Sequence, residues 1–171
     1  MKTNRFLKSA DAISKWTGTA VAWLMLVLVL ELVYDTIARY AFNSPTIWSF
    51  DISYMLYAVI FMIGGAYTLQ VGGHIRVDMF YEKFSRRKKA IVDILGYLLF
   101  FFPAIGGMII FGIISVHESW KICEHCTISY WSPPLWHFRT VIPIGASLLF
   151  LQGVAEFIRA ISDLSPQEKE Y

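Results

Sequence analysis

Charge is scarce in this chain. Only 16% of its 171 residues are Asp, Glu, Lys or Arg, whereas 56% are hydrophobic. A soluble domain usually carries about 25% charged and 45–50% apolar residues, so the deficit indicates that lipid surrounds much of the chain. The net charge of only +2 and the lack of a basic helix with interleaved aromatic residues argue against nucleic-acid binding.

Sequence patterns of known catalytic sites are also missing. The chain has no glycine-rich phosphate loop and no nucleophile elbow. His117 and Glu118 begin an H-E-x-x-H zinc motif, but Lys121 stands where its second histidine belongs. All four histidines fall in predicted loops or at span ends, which does not suit haem ligation inside a helical bundle. We therefore predict that the chain is not an enzyme and binds no cofactor and no metal.

Four long apolar segments dominate the rest of the sequence. A helix of about 20 residues crosses a bilayer core of about 30 Å, and the alternating ten-residue segments of a membrane β-barrel are absent. We predict an all-α integral membrane protein that forms one membrane domain over residues 1–171. Its four transmembrane helices are expected at about 16–40, 50–70, 92–116 and 134–159.

The first apolar segment follows basic residues, as a cleavable signal peptide would. No small-residue cleavage site follows it, and the apolar run instead ends in Glu31, Tyr34 and Asp35. We therefore expect this segment to be the first span.

Lys and Arg are distributed unevenly between the two sides of the predicted bundle. Twelve of the fifteen lie before the first span, between spans two and three, or after span four; only Arg39, Lys121 and Arg139 lie on the opposite side. Because cytoplasmic loops carry an excess of positive residues, we predict that both termini and the middle loop are cytoplasmic.

The middle loop has a pattern of its own. Met79, Phe80, Phe84 and Ile91 recur at near-helical spacing beside several basic residues, which favours a short amphipathic helix on the cytoplasmic membrane surface. A solvated basic loop that only fixes the topology is the alternative. Within the third span, Pro103 predicts a helix kink.

Three charged residues near the outer end of the first span lie four residues apart: Glu31, Asp35 and Arg39. They therefore share one helix face. One interpretation is a proton or cation site. The other is a polar contact that docks this helix against a protein partner, because Arg39 can pair with Asp35 and leave only Glu31 in need of a partner.

Cys123 and Cys126 form a C-x-x-C motif in the second outer loop. A redox-active disulfide, a structural disulfide, unreacted thiols and a zinc site with His117 or His125 are the alternatives. Four spans with this motif are also found in the quinone-linked membrane thiol oxidases, but electron relay there needs a second cysteine pair, and the chain has only two cysteines. A stand-alone small multidrug exporter is a third possibility, although such exporters are shorter and often have little charge bias.

The segments that flank the spans resemble a known family. The sequence Arg39-Tyr-Ala-Phe-Asn43 is followed by Pro45, Trp48, Ser49 and Asp51, then by Gly72-Gly-His-Ile-Arg-Val-Asp78 and finally by Pro133-Pro-Leu-Trp136 through Arg139. This series is similar to the small membrane subunit (DctQ-like) of TRAP transporters, the tripartite ATP-independent periplasmic family. The similarity extends over nearly the whole chain.

The resemblance implies a division of labour among three proteins. A large multi-span subunit carries the solute and ions, a periplasmic solute-binding protein delivers an organic acid or related solute, and the small subunit braces the large one in the bacterial inner membrane. We expect the partner interface to involve Glu31, Asp35, Arg39, Trp48, Asp51 and Arg139. We expect the middle loop to be folded by Gly72, Gly73, His74, Arg76 and Asp78, with a pH-sensing role of His74 as an alternative.

Overall fold

The computed structural model describes residues 2–72, 86–127 and 129–164. It contains six α-helices and one π-helical segment in these ranges. They are α1 (Lys2–Ala41), α2 (Ser49–Gln70), α3 (Arg86–Gly96), the π-helical segment Tyr97–Phe101, α4 (Phe102–Lys121), α5 (Leu135–Arg139) and α6 (Val141–Leu164).

Among the described residues, four helical stretches are long and apolar enough to cross a membrane. They are Arg5–Ala41, Ser49–Gln70, Ile91–Lys121 and Leu135–Ser162. No β-strand occurs among the residues described; an isolated backbone bridge joins His125 to Pro134. The predicted all-α architecture with four transmembrane helices is therefore confirmed. We call the end that holds the α1–α2 and α4–α5 connections the outer end, following the predicted orientation, and the opposite end the inner end.

Helix α1 packs through one narrow stripe. Buried and half-buried side chains recur alternately four and three residues apart along it, and the stripe faces α2 and α6. This average period of 3.5 residues is that of a left-handed coiled coil. The centre of the stripe is apolar and both ends are polar. Its members are Ala10, Ser14, Thr17, Val21, Leu24, Leu28, Glu31, Asp35 and Ala38.

Helix α6 is the centre of the bundle, since it contacts each of the other five helices. Small residues at its buried positions allow these close approaches. At Gly145, an added Cβ atom would lie 2.8 Å from the backbone oxygen of Met62, and at Gly153 it would overlap the ring of Phe101. Larger residues at either position would push a neighbouring helix away from α6.

The third span departs from α-helical geometry next to Pro103, where the sequence predicts a kink. The π-helical segment Tyr97–Phe101 precedes it, and the α-helix resumes at Phe102. Because proline has no backbone N–H to donate, the turn before it loses a regular hydrogen bond and adapts. The irregular turn places Phe101 against Gly153 of α6.

The predicted surface helix of the middle loop is described only in part. Met79, Phe80 and Phe84 lie outside the described residues. Helix α3 begins at Arg86 and continues into the π-helical segment, so Ile91 belongs to the helix of the third span.

Candidate functional site

Glu31 is the central residue of a polar cluster at the outer end. Its carboxylate accepts hydrogen bonds from the hydroxyl groups of Ser49 and Ser53, the latter at 2.5 Å. The two serines lie one turn apart at the start of α2, so they present their hydroxyl groups on the same face. A carboxylate in a span is costly when it faces lipid. Here it joins α1 to α2 instead.

Asp35 and Arg39 lie one and two turns beyond Glu31. Their side chains form the ion pair that the spacing predicts, with Arg39 Nη2 and Asp35 Oδ2 separated by 2.9 Å. Asp35 also accepts a hydrogen bond from Thr46 in the α1–α2 connection. The cluster therefore holds this connection against the end of α1.

Trp48 and Asp51 lie where α2 begins. The ring of Trp48 stacks on Tyr34 of α1, with ring centroids 6.0 Å apart. Asp51 is buried in the first turn of α2, where the helix dipole stabilises a negative charge. Its Oδ2 atom and the hydroxyl group of buried Ser119 have no hydrogen-bond partner in the part of the chain that the structure describes.

Arg139 joins the second outer connection to α4. It donates one hydrogen bond to Ser115 at 2.9 Å and another to Glu124 at 2.6 Å, which is also an ion pair. Because Ser115 belongs to α4 and Glu124 to the loop after it, the guanidinium group of Arg139 holds that loop over the outer end of the bundle.

The C-x-x-C motif lies in the same loop, and the structure shows no disulfide between Cys123 and Cys126. Backbone hydrogen bonds close the loop: Cys126 N–H donates to Pro133 at 2.9 Å, and Leu135 N–H donates to Glu124 at 2.8 Å. Within the ranges described, no group of three or more His, Cys, Asp and Glu side chains is arranged to hold a metal ion. A disulfide between the two cysteines stays one of the alternatives that the sequence leaves open.

A second polar network, which was not predicted from the sequence, lies at the inner end. Gln152 of α6 is fully buried. Its Oε1 accepts a hydrogen bond from Ser14 at 2.8 Å, and its Nε2 donates to Asp11 at 3.2 Å and to Glu156 at 3.1 Å. Arg159 pairs with both carboxylates, lying 2.5 Å from Asp11. This network joins the first helix, α1, to the last, α6.

A signal for the inner network exists in the sequence. Gln152, Glu156 and Arg159 are four and three residues apart, so they share one face of α6. Ser14 belongs to the packing stripe of α1 and Asp11 lies beside it, but both precede the predicted start of the first span. The helical spacing of polar and apolar residues before Trp16 is the signal that would have included them.

The predicted loop motif is described only at its first residue. Gly72 follows the end of α2 with a φ of +68°, a left-handed conformation that glycine adopts without strain. Gly73, His74, Arg76 and Asp78 lie outside the described residues, so their proposed role stays a prediction.

A comparison with protein families identifies the chain. The family model described as "Tripartite ATP-independent periplasmic transporters, DctQ component" matches residues 28–163. The chain belongs to the DctQ family. The match includes the outer polar cluster and α6, and it confirms the resemblance seen in the loop motifs. A comparison with curated proteins gave no match.

Membership of the DctQ family makes the chain a multi-pass membrane component of a TRAP transporter. It favours the transporter-subunit interpretation over the thiol oxidase and the multidrug exporter, because the family is one of transporter components. The observed contacts agree with this class: the polar side chains at both ends of the bundle hold helices together.

Proposed function

We propose that this chain is the small permease subunit of a secondary-active, ion-gradient-driven TRAP transporter. It braces the large multi-span subunit in a bacterial inner membrane, and a periplasmic binding protein delivers an organic acid or related solute to that subunit. Both termini face the cytoplasm, and the outer end faces the periplasm.

The use of polar side chains within the spans is the observation that carries this proposal. Glu31 bonds to two serines of α2, and Gln152 bonds to α1 and to its own helix. Transport sites in membranes are typically built from broken helices that line a cavity at the midplane. Polar groups that hold neighbouring helices together suit a rigid scaffold instead.

Exposed tryptophans supply a second line of support. Trp16 of α1 is 74% exposed, and tryptophan prefers the boundary between headgroups and hydrocarbon. Part of a transporter must stay fixed while another part moves. Anchoring at both boundaries, from Trp16 near the inner end to Trp131 near the outer end, resists vertical movement of the subunit.

The predicted interface residues maintain the shape of this scaffold. In our proposal Glu31, Asp35 and Arg39 shape the outer end of α1, Trp48 and Asp51 fix the start of α2, and Arg139 fixes the outer loop. The large subunit then contacts a surface whose form these side chains maintain. The middle loop, with Gly73, His74, Arg76 and Asp78, supports the cytoplasmic side.

Affinity purification in mild detergent tests the proposal. We expect a large multi-span protein to co-purify with the chain, and the chain alone in vesicles to transport no solute. Glu31→Ala and Arg39→Ala should weaken co-purification more than they change substrate preference, because these residues shape the docking surface. Solute uptake by the isolated chain would contradict the proposal. An intact complex that no longer transports would indicate a direct coupling role for these residues.

A further inference from the structure

Helix α2 carries four aromatic residues on its exposed face: Phe50, Tyr54, Tyr57 and Phe61. Their exposed fractions are 73%, 56%, 62% and 69%. The spacings of four, three and four residues place all four on one line along the helix. We call this line the aromatic ridge.

The aromatic ridge points away from the described bundle. The other faces of α2 are occupied, since Ser49 and Ser53 bond to Glu31 of α1 and Met62 lies against Gly145 of α6. At the edge of the ridge, the ring of Tyr54 contacts that of Phe138, with the ring centroids 5.8 Å apart. The ridge is therefore a surface that the described part of the chain leaves open.

The preference of aromatic residues for the headgroup level explains only part of the ridge. Interfacial aromatic residues lie at headgroup level, whereas the ridge extends over eleven residues, or about 17 Å of helix. Tyr57 is eight residues past the start of α2, which corresponds to a depth of about 12 Å. Its side chain leans towards the outer end, but its ring still lies within the span. Phe61 lies deeper again.

The two tyrosine hydroxyl groups of the ridge find no hydrogen-bond acceptor among the described residues. Neither Tyr54 nor Tyr57 makes a hydrogen bond within the described ranges. Hydrocarbon supplies no acceptor, and a polar group without one is costly there. A neighbouring protein helix with an exposed carbonyl or hydroxyl oxygen would satisfy both groups.

Below the ridge, the same side of α2 becomes concave. Phe61 borders an apolar cleft of about 860 Å³. Small residues from three helices form part of its wall. They are Gly18, Ala22, Gly64, Gly65, Gly145 and Ala146.

We propose that the aromatic ridge is the docking surface for a transmembrane helix of the large TRAP subunit. That helix presents hydrogen-bond acceptors at the depths of Tyr54 and Tyr57 and places apolar side chains near Phe61 and the cleft. Tyrosine suits such a surface, because its rigid ring offers a large contact area at little cost in conformational entropy. This inference rests on the proposed function and adds the face that meets the partner.

Photo-crosslinking in native membranes tests the contact directly. Photoreactive benzoylphenylalanine replaces Tyr57 or Phe61 in the full chain, co-expressed with the large subunit. Matched controls carry it at Phe111 of α4 or Trp23 of α1, which are 73% and 68% exposed. We expect adducts with the large subunit from the two ridge positions and much weaker ones from the controls. Adducts only from the controls, only with a second copy of this chain, or only with lipid would overturn the inference.

A conservative substitution tests the hydroxyl groups separately. Tyr57→Phe keeps the ring and removes only the donor, so the fold should persist. Retention of the large subunit in detergent should fall about threefold, as expected for one hydrogen bond between helices in a membrane. Tyr40→Phe, at an 82% exposed position of α1, should have no effect. Equal retention by both variants would contradict the proposed hydrogen bond.

The two proposals fail in different ways. If the unaltered chain retains no large subunit, the proposed function fails and the docking surface fails with it. If the complex forms but the ridge variants retain the large subunit as well as the controls do, only the docking surface is wrong.

Discussion

The polar contacts at the two ends of the bundle join different pairs of helices. At the outer end, Glu31 receives hydrogen bonds from Ser49 and Ser53, which are 18 and 22 residues away in the chain. At the inner end, Arg159 lies between Asp11 and Glu156, and Asp11 is 148 residues away. The outer contact joins consecutive helices, whereas the inner contact closes the bundle between its first and last helices.

This difference has a consequence for stability. Helices α1 and α2 are held near each other by their short connection even when the outer hydrogen bonds are lost. Helices α1 and α6 have no such connection, and a long closed segment costs more entropy to form than a short one. The inner network should therefore contribute more to stability, and the outer cluster more to the shape of the docking surface.

The largest effect is expected from Gln152→Leu at the inner end. The change removes three hydrogen bonds, two of them to Ser14 and Asp11 of α1 and one to Glu156 of α6 itself. The free energy of unfolding should fall by about 2 to 3 kcal/mol. Unfolding of the purified protein by a denaturing detergent, added to mild detergent micelles, measures the change.

Gln70→Leu is the matched control for this variant. Gln70 is half-buried at the end of α2, and its Oε1 atom has no partner within the described residues. Its replacement should change the free energy of unfolding by less than about 0.5 kcal/mol. Similar losses for the two variants would show that the inner network is not the source of the stability.

A smaller effect is expected from Glu31→Ala at the outer end. The Ser53 hydroxyl group can turn to the carbonyl group of Ser49 on its own helix, so the loss should be about 1 kcal/mol. Unfolding in the same detergent series measures it. Ser53→Ala should cost less in the Glu31→Ala background than alone. Additive losses would show that the two residues do not act together.

The sequence was a good guide to the spans and a poorer guide to their partners. Apolar length predicts four helices, because burial in lipid requires long apolar segments regardless of how they pack. The pair formed by Asp35 and Arg39 was foreseen for a similar reason, since both residues lie on one helix. Local spacing was sufficient in each case.

Contacts between helices were harder to predict. Ser49 and Ser53 gave no signal, because serine is common at the start of helices whether or not a carboxylate lies opposite. Asp11 precedes the predicted start of the first span, and its partner Arg159 is far away in the chain. Which helix faces meet depends on packing around Gly145 and Gly153, and no single helix carries that information.

The smallest effect is expected from replacing both cysteines with serine. Cys123 and Cys126 lie in the outer loop, which backbone hydrogen bonds to Pro133 and Leu135 close without the sulfur atoms. Co-purification and solute uptake by the complete transporter should therefore change by less than about twofold. Arg139→Ala is the informative contrast, because it removes the side-chain link to Ser115 and Glu124 and should expose the loop to added protease. Loss of uptake in the double serine variant, with a loop still resistant to protease, would give the thiols a redox role and make the outer end more than a structural cap.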